Sequence, residues 1–359
     1  MEMTRKEFLE TVAGGVAYSA ASASSITSAA PSRGNLRRGV SLYSYQEEFY
    51  TRAMSLEDCL SEASSIGAYA IELLPEEMVP DFPNPSDKWV GQFRGWMDQY
   101  HLVADTYCQF QDTVLVKGRD LPLEDGVAML ERDLKLAKRL GFKNMRLLVG
   151  TPLDVTERAI PLAEKYDVWL GFEIHWPLTI KSRLVDAWMA LIERTKTTHL
   201  GIIPDFGIFQ KRPPRVARDR QIRDGLLTER IAKLIETEHD AGTPKDKLAA
   251  EMAKMGAKSG DSMYLEMVYG TKMEDPRTLI PLKPHIRHFH AKFYEMTEDY
   301  RETSIAYEEV IPVLVEAGFD ASVASEYEGQ RHTQDLFETN SCEQVRRQQL
   351  MLRRLIGES

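Results

Sequence analysis

The sequence predicts an α/β fold, a (β/α)8 TIM barrel, and three observations carry this prediction. Short runs rich in β-branched and aromatic residues alternate with segments whose apolar residues recur at helical spacing. Eight such runs follow one another between residues 39 and 326. Six of the seven steps between their ends span 26 to 40 residues, close to the roughly 30 residues of one βα unit. Consecutive crossovers of this length describe a parallel barrel.

The strands and helices can be placed in chain order from these runs. The first strand, Gly39 to Tyr43, precedes a segment of helical periodicity from Leu56 to Ile66. A longer helix from Leu123 to Leu140 is expected to end at Gly141, a residue type that commonly stops helices. The predicted strands cover residues 39–43, 70–74, 103–107, 144–148, 168–173, 199–204, 285–290 and 321–326.

One step is much longer than the others and predicts a helical insertion after strand six, at about residues 211–284. It contains charged stretches with helical character at 224–239 and 245–255, separated by the break Ala241-Gly242-Thr243-Pro244. An insertion at the carboxyl end of a barrel strand lies on the face that carries active sites. We expect a lid, a substrate clamp or a partner-docking surface there, and a purely decorative surface insertion is the alternative.

The first 35 residues differ in composition from the barrel domain, which we place at residues 36–359. They begin with Arg5-Lys6 and Phe8-Leu9 and continue as a weakly apolar run rich in Ala and Ser that ends near Pro31. This pattern resembles a twin-arginine export signal in which Lys replaces the second Arg. It predicts a periplasmic protein, whereas a disordered N-terminal arm on a cytoplasmic protein is the alternative reading.

Composition excludes several classes of protein. The formal net charge is −10 and there is no basic stripe with interleaved aromatic residues, so no nucleic-acid partner is expected. No run of about 20 apolar residues occurs, so no membrane-spanning helix is expected. The three cysteines are far apart and lack metal-knuckle spacing, which argues against a disulfide framework or a thiolate zinc site.

Ionisable side chains end four consecutive strands in the second half of the predicted barrel: Glu173, Asp205, His290 and Glu326. Residues at the carboxyl ends of barrel strands point towards a common mouth, whatever their separation in sequence. An acid that ends a buried strand is costly unless it is paired, hydrogen-bonded or bound to a cation. Each of these residues alone could be a paired structural group, but the four together predict a metal site.

Three carboxylates and one imidazole favour a hard divalent ion over a closed thiolate zinc site. We expect Mn, with Mg, Co, Fe and Zn as alternatives. His288 has the same strand parity as His290 and is the alternative imidazole ligand.

Two further residues share the parity of the predicted ligands. His175 lies two residues after Glu173 and is our predicted general base, because histidine titrates near neutrality. A structural hydrogen bond from His175 to a metal ligand is the alternative. Lys292, two residues after His290, is expected to stabilise an oxyanion or to act as the base instead.

Four other residues near strand ends are predicted to bind a substrate. Glu72 ends strand two and could bind hydroxyl groups or an arginine, and Arg146 in strand four could hold a substrate oxygen or neutralise the acidic cluster. The aromatic rings of Tyr43 and Tyr107, like those of Tyr45 and Trp176, could stack on a sugar ring, although core packing explains each of them equally well.

Five short segments carry a family resemblance: residues 39–45, 173–177, 205–210, 290–293 and 325–329, which read GVSLYSY, EIHWP, DFGIFQ, HAKF and SEYEG. Together they resemble one branch of the xylose isomerase-like TIM-barrel superfamily. That branch contains sugar phosphate isomerase/epimerase-like proteins and the alpha subunits of C-glycoside deglycosidases, which the sequence resembles most.

This resemblance implies a bound Mn ion, held by Glu173, Asp205, His290 and Glu326, and a 3-oxo-glycoside substrate that a separate oxidoreductase has oxidised beforehand. His175 would remove the C2 proton, and the aglycone, C- or O-linked, would leave by β-elimination. The resemblance also implies a small beta subunit as a partner, with a homo-oligomer as an alternative. The long insertion and the export-like N-terminus depart from the family pattern, and a periplasmic relative would account for both.

The sequence is compatible with two other functions. The same metal site could serve a sugar isomerase or epimerase acting on a keto sugar, in which Glu173 and Glu326 would form an acid/base pair as well as ligands. The chain could also be a non-catalytic subunit of a sugar-oxidising complex, although a complete set of ligands argues against that reading.

Overall fold

The structure is a computed structural model, and it describes residues 35–111, 120–337 and 340–358. The predicted export-like segment at residues 1–35 lies outside these ranges except for its last residue. Within the described ranges, no helix combines the length and the apolar character that a membrane crossing requires.

The structure has eight strands in one sheet: β1 (Arg37–Ser41), β2 (Ala70–Leu73), β3 (Val103–Gln109), β4 (Asn144–Leu147), β5 (Trp169–Ile174), β6 (Leu200–Pro204), β7 (His288–Phe293) and β8 (Ser322–Tyr327). Their order in the sheet is β6-β5-β4-β3-β2-β1-β8-β7. Each pair of neighbours in this order is parallel, and isolated bridges between Ile202 and Ile286 and between Asp205 and His290 link β6 to β7. The sheet therefore forms a nearly closed barrel, and the predicted (β/α)8 fold is confirmed.

Helices follow the strands and cover the outside of the barrel. Those before β6 are α1 (Gln46–Tyr50), α2 (Leu56–Ser65), α3 (Pro75–Met78), α4 (Asp87–Gln99), α5 (Leu123–Leu140), α6 (Leu153–Tyr166) and α7 (Arg183–Thr195). Their ends follow ordinary capping chemistry: the Ser55 and Asp58 side chains form a capping box at the start of α2, and Gly141 ends α5 in the left-handed conformation.

The segment between β6 and β7 contains the 3-10 helix Phe206–Phe209, then α8 (Arg215–Arg223), α9 (Glu229–Asp240), α10 (Lys245–Lys254), α11 (Ser259–Gly270) and the 3-10 helix Pro276–His285. Apolar side chains of α9, α10 and α11 pack into a cluster of their own, separate from the main core. The chain ends with α12 (Tyr307–Glu316), α13 (Gln330–Thr333) and α14 (Ser341–Ile356). The Arg223 side chain of α8 donates to both carboxylate oxygens of Asp335, which follows α13. The helical segment is thereby attached to the chain that follows β8.

One large side chain, Trp169, packs against Gly171 and Gly201 inside the barrel. Trp169 has the parity of Gly171 and Glu173 and is 2 % exposed. A Cβ atom at Gly201 would lie 2.3 Å from a ring carbon of Trp169 and 2.3 Å from the carbonyl oxygen of His285. A glycine at this position therefore makes the room that the tryptophan ring requires.

We predict that Gly201→Ala destabilises the fold by at least about 2 kcal/mol, because the added methyl group would overpack against a ring and a backbone oxygen that cannot both move away. Urea unfolding followed by circular dichroism measures the effect. The control is Gly91→Ala in α4, where a Cβ meets no atom within 4 Å. That change should leave stability unchanged or raise it slightly. Equal unfolding midpoints for the two variants would contradict the packing argument.

Candidate metal centre

The strand register brings the four predicted metal ligands to one place inside the barrel. Glu173 is the next-to-last residue of β5, Asp205 directly follows β6, His290 lies in β7 and Glu326 lies in β8. The backbone bridge between Asp205 and His290 fixes the relative height of these two residues. All four side chains are buried, with residue exposures of 0–5 %.

The donor atoms of these four residues surround one small volume. His290 Nδ1 lies 2.9 Å from Glu173 Oε1, 3.5 Å from Glu326 Oε2 and 3.9 Å from Asp205 Oδ2. One potential ligand atom from each of the four residues can be chosen so that all lie within 4.8 Å of one another. The predicted residues are therefore together, in a group that could hold a divalent ion.

The oxygen atoms of this group indicate that a cation fits there. Asp205 Oδ2 and Glu326 Oε2 are buried and accept no hydrogen bond from the described residues. The nearby ammonium group of Lys292 lies 3.1 Å from the former and 3.5 Å from the latter. Buried carboxylate oxygens without donors are costly, and a divalent ion with oxygen ligands would satisfy both of them.

The pKa values of Asp205 and Glu173 shift in opposite directions, because the positive charges near the two carboxyl groups differ. Burial raises the pKa of Asp205 well above its ordinary range, with Lys292 opposing that change and Glu326 adding to it. Burial alone would also raise the pKa of Glu173, but the positive charges of Arg146 and His290 bring it below its ordinary value. In the metal-free protein, the carboxylate of Glu173 is therefore favoured over that of Asp205.

Glu72 contacts Nε2 of His290, the ring nitrogen that does not face the other three acids. Its Oε2 lies 2.7 Å from His290 Nε2 and 3.0 Å from His288 Nε2, and its Oε1 accepts a hydrogen bond of 2.7 Å from Ser41. Burial would raise the pKa of Glu72, but the two histidines bring it well below its ordinary range. This arrangement directs His290 Nδ1 towards the other three predicted ligands. Glu72 is fully buried and does not line the cavity, contrary to the expectation that it binds substrate hydroxyls.

His288, the alternative imidazole ligand, faces other partners. Its Nδ1 lies 2.8 Å from Asp105 Oδ2, and its Nε2 faces Glu72. Glu72, His288 and His290 form a second group of potential ligand atoms that shares His290. The group with three carboxylates is the better site for a hard ion, because in the second group one carboxylate already contacts both rings.

A cavity of about 400 Å³ is lined by three of the four predicted ligands, Glu173, Asp205 and Glu326. Besides the predicted residues Tyr43, Arg146, Glu173, His175, Asp205, Lys292 and Glu326, its lining includes Phe110, Leu148, Trp176, Gly207, Tyr294, Glu328 and Arg331. Both predicted catalytic residues and two of the four predicted substrate-binding residues thus meet in one polar cavity of a size suited to a small ligand.

The hydrogen bonding of His175 defines the nitrogen that is free to accept a proton. His175 Nδ1 lies 2.6 Å from the carbonyl oxygen of Trp176. A carbonyl oxygen only accepts, so Nδ1 carries the hydrogen and donates it. In the neutral ring, Nε2 is then the acceptor, as a general base requires.

Lys292 lies among carboxylates. Its Nζ is 3.1 Å from Asp205, 3.5 Å from Glu326 and 3.3 Å from Glu328. Burial would lower the pKa of Lys292, but the carboxylates of Asp205, Glu326 and Glu328 raise it well above its ordinary value. The ammonium form is therefore favoured, which suits stabilisation of an oxyanion better than proton abstraction.

Arg146 has unsatisfied hydrogen-bonding capacity in the cavity. Its Nε lies 3.6 Å from Glu173 Oε2, and its guanidinium group lies 4.9 Å from the ring centre of Phe110. Both Nε and Nη1 are buried and donate to no group in the described residues. Arg146 is thus placed to neutralise the acidic cluster and to donate to a substrate oxygen, the two roles that the sequence left open.

The two tyrosines differ in position. Tyr43 lines the cavity, and the guanidinium group of Arg331 lies 5.6 Å from the centre of its ring. Tyr107 is fully buried, and its hydroxyl donates to Asp133 of α5. In β3, Cys108 is paired with Arg146, so Tyr107 points to the opposite side of the strand. The structure does not bring Tyr107 to the cavity, contrary to the expectation that it binds a sugar.

Sequence reasoning missed several residues of the cavity. Glu328 is two residues after Glu326 and is 3.3 Å from Lys292, so the parity rule that identified Lys292 could also have identified it. Arg331 lies beyond the end of β8, where no strand periodicity applies, and no signal in the sequence marks it. Trp176, one of the aromatic side chains that the sequence offers for stacking on a sugar, does line the cavity.

The fold and this site together define a class of protein. The chain belongs to the xylose isomerase-like TIM-barrel family, whose pattern it matches over residues 60–355. It is 28 % identical over 344 residues to a 3'-dehydrocarminate deglycosidase alpha subunit from a Microbacterium species, covering 90 % of this chain and 96 % of that one. It is also 28 % identical over 308 residues to a C-glycoside deglycosidase alpha subunit from Arthrobacter globiformis, covering 81 % and 84 %.

Among solved structures, the fold is similar to that of a sugar phosphate isomerase/epimerase from Parabacteroides distasonis. The TM-score is 0.53 at 12 % sequence identity, and the match covers 93 % of this chain and 97 % of that one. The family resemblance inferred from the five sequence segments is confirmed.

We predict that Asp205→Asn weakens Mn²⁺ binding by more than the roughly 10- to 100-fold expected for loss of a supporting residue, while stabilising the metal-free fold. The folded-state pKa of Asp205 lies above that in the unfolded chain, so ionisation of Asp205 favours unfolding as the pH rises. At neutral pH a neutral Asn removes this cost, and its oxygen can still accept from the backbone N–H of Gly207.

Calorimetric titration with Mn²⁺ and thermal unfolding in chelator measure the two effects. The control is Asp320→Asn, a change to an exposed acid far from the cavity in the surface ion pair with Arg37. Unchanged Mn²⁺ affinity in Asp205→Asn would exclude Asp205 as a ligand.

Proposed function

We propose that this protein is a metal-dependent lyase that cleaves 3-oxo-glycosides, C- or O-linked, by removing the C2 proton and eliminating the aglycone. The observation that carries the proposal is the position of His175: it lines the same cavity as Glu173, Asp205 and Glu326, three of the four predicted metal ligands, and its Nε2 is free to accept a proton. The names of both relatives, which describe deglycosidase subunits, support it.

The reaction begins with proton transfer to His175. A carbonyl group at C3 acidifies the proton at C2, and His175 Nε2 takes that proton. The electron pair moves onto the C3 oxygen as an enolate. A divalent ion held by Glu173, Asp205, His290 and Glu326 would supply the positive charge that stabilises this oxygen. Lys292 and Arg146 add fixed positive charge in the same cavity.

Elimination completes the reaction. As the enolate collapses, a C1–C2 double bond forms, the C3 carbonyl is restored, and the bond between C1 and the aglycone breaks. The released atom of the aglycone takes up a proton, so the proton lost from C2 is balanced in the products. These are the free aglycone and an unsaturated 3-oxo sugar.

A partner subunit belongs to the proposal, because both relatives are named alpha subunits. A small second subunit or a second copy of this chain could fill that role. Sedimentation velocity of the purified chain separates self-association from a requirement for a different chain.

We predict that His175→Ala lowers the rate of aglycone release by about 10²- to 10⁴-fold, the usual contribution of a general base. The protein is stripped with chelator, reloaded with Mn²⁺, and offered a 3-oxo-O-glucoside and a 3-oxo-C-glucoside. Release should require the metal. Mn²⁺ affinity should remain near that of the wild type, because His175 is not among the four ligands.

The matched control is His101→Asn. His101 is exposed in the turn before β3 with φ 54°, a conformation that Asn tolerates. This variant should release aglycone at the wild-type rate. Wild-type protein with stoichiometric metal that releases no aglycone from either substrate, but interconverts free ketoses, would refute the lyase and establish the isomerase or epimerase instead.

A further inference from the structure

A second cavity, of about 680 Å³, adjoins the candidate metal centre and has a different chemistry. It lies between the chain just after α8 and the helix α11, and we call it the apolar groove. Its apolar lining residues are Trp176, Leu226, Met263, Tyr264 and Met267. Trp176 also lines the polar cavity above the metal ligands. The two cavities therefore share a wall.

Three of the side chains in the groove are more exposed than large apolar groups usually are. Met263 is 73 % exposed, Leu226 is 60 % exposed and Trp176 is 41 % exposed. Single exposed apolar residues are common on protein surfaces. Three that line one concave surface indicate a place where an apolar ligand is bound.

The groove is preformed by fixed backbone contacts. A Cβ at Gly260 would lie 1.8 Å from the carbonyl oxygen of Leu226, so α11 begins in direct contact with the chain after α8. The buried carboxylate of Asp261 accepts hydrogen bonds from the backbone N–H groups of Thr228, at 2.7 Å, and Lys258, at 2.8 Å. These contacts hold both sides of the groove in place without a ligand, which lowers the ordering cost of binding.

The position of the groove relates it to the reaction. Trp176 follows His175 directly and holds its Nδ1 through the backbone carbonyl. In a glycoside, the carbon that bears the aglycone is bonded to the carbon that His175 would deprotonate. An aglycone is therefore attached within one bond of the site of proton removal, beside the tryptophan that both cavities share.

We propose that the apolar groove binds the aglycone of the substrate, and that this aglycone is apolar. This assignment rests on the proposed function, because that function identifies the bound group as the leaving group of the reaction. The polar cavity of about 400 Å³ has the volume and the charged groups for the sugar. The groove, with its indole, thioether and aliphatic walls, takes the part of the substrate that a free monosaccharide lacks.

The test compares binding of 2-naphthol, a flat apolar alcohol, to full-length metal-loaded protein and to two variants. In Leu226→Ser/Met263→Ser, two exposed apolar walls of the groove are lost. We expect the affinity for 2-naphthol to fall about tenfold or more, given the apolar contact removed. The matched control is Leu350→Ser in α14, a side chain that is 49 % exposed and outside the groove. It should bind 2-naphthol as the wild type does.

A kinetic comparison distinguishes two outcomes: that the groove does not bind the aglycone, and that the proposed lyase function is wrong. The substrates are 2-naphthyl and methyl 3-oxo-β-glucosides, and the readout is the ratio of their kcat/KM values. The double variant should lower this ratio about tenfold or more, and Leu350→Ser should not change it. If the wild type releases both alcohols and the double variant binds naphthol with wild-type affinity, the assignment of the groove to the aglycone is wrong and the lyase function is supported.

Two further outcomes are decisive. Release of neither alcohol by the wild type, with naphthol binding lost only in the double variant, overturns the lyase but supports an aromatic site in the groove. If the double variant instead abolishes self-association of the chain in sedimentation velocity, while its naphthol affinity stays unchanged, the groove is an interface between copies and the aglycone assignment is wrong.

Discussion

The interior of this barrel depends on the balance of buried charge around His290. Its ring is fully buried, with Nε2 beside Glu72 and Nδ1 facing the carboxylates of Glu173, Asp205 and Glu326. Four acids within reach of one imidazole would repel one another strongly in a low-dielectric interior. The protein supplies positive charge that offsets part of this repulsion, the group could also hold a divalent ion, and the surrounding residues can be understood from that requirement.

The protein supplies positive charge to the acidic group through two side chains on different strands. Arg146 approaches Glu173 from β4, and Lys292 approaches Asp205 and Glu326 from β7. Neither cation neutralises the group completely, because oxygen atoms of Asp205 and Glu326 still accept no hydrogen bond within the described residues. The same two cations border the cavity, so the groups that make the acidic cluster tolerable are also the groups that can stabilise a developing oxyanion.

The sequence predicted the fold and the ligand group because both follow from strand periodicity. Apolar runs at regular spacing locate the strands, and ionisable residues at their ends locate Glu173, Asp205, His290 and Glu326. The same rule misplaced Tyr107, because assigning an inward position one residue off in β3 turns a side chain from the interior to the helix layer. Trp176 lies in the turn after β5 and Arg331 in the short helix α13, where no strand period relates position to direction. The export signal stays a prediction, since it falls almost entirely outside the described residues.

The apolar groove could not be predicted either, because strand periodicity does not extend to the loops and helices that form it. Its position outside the barrel follows from the residues that the strands carry. Within β4, β5, β7 and β8, the residues that line the cavity are all charged: Arg146, Glu173, Lys292 and Glu326. These strands themselves therefore offer no apolar side chain to a substrate. Apolar recognition must then come from the loops and helices above them. The long segment after β6 provides it, with Leu226 and Met263 placed by packing of α8 and α11 rather than by strand register. A cavity for a polar, reacting group and a groove for an apolar substituent thus arise from different parts of the chain, and Trp176 is the residue at which they meet.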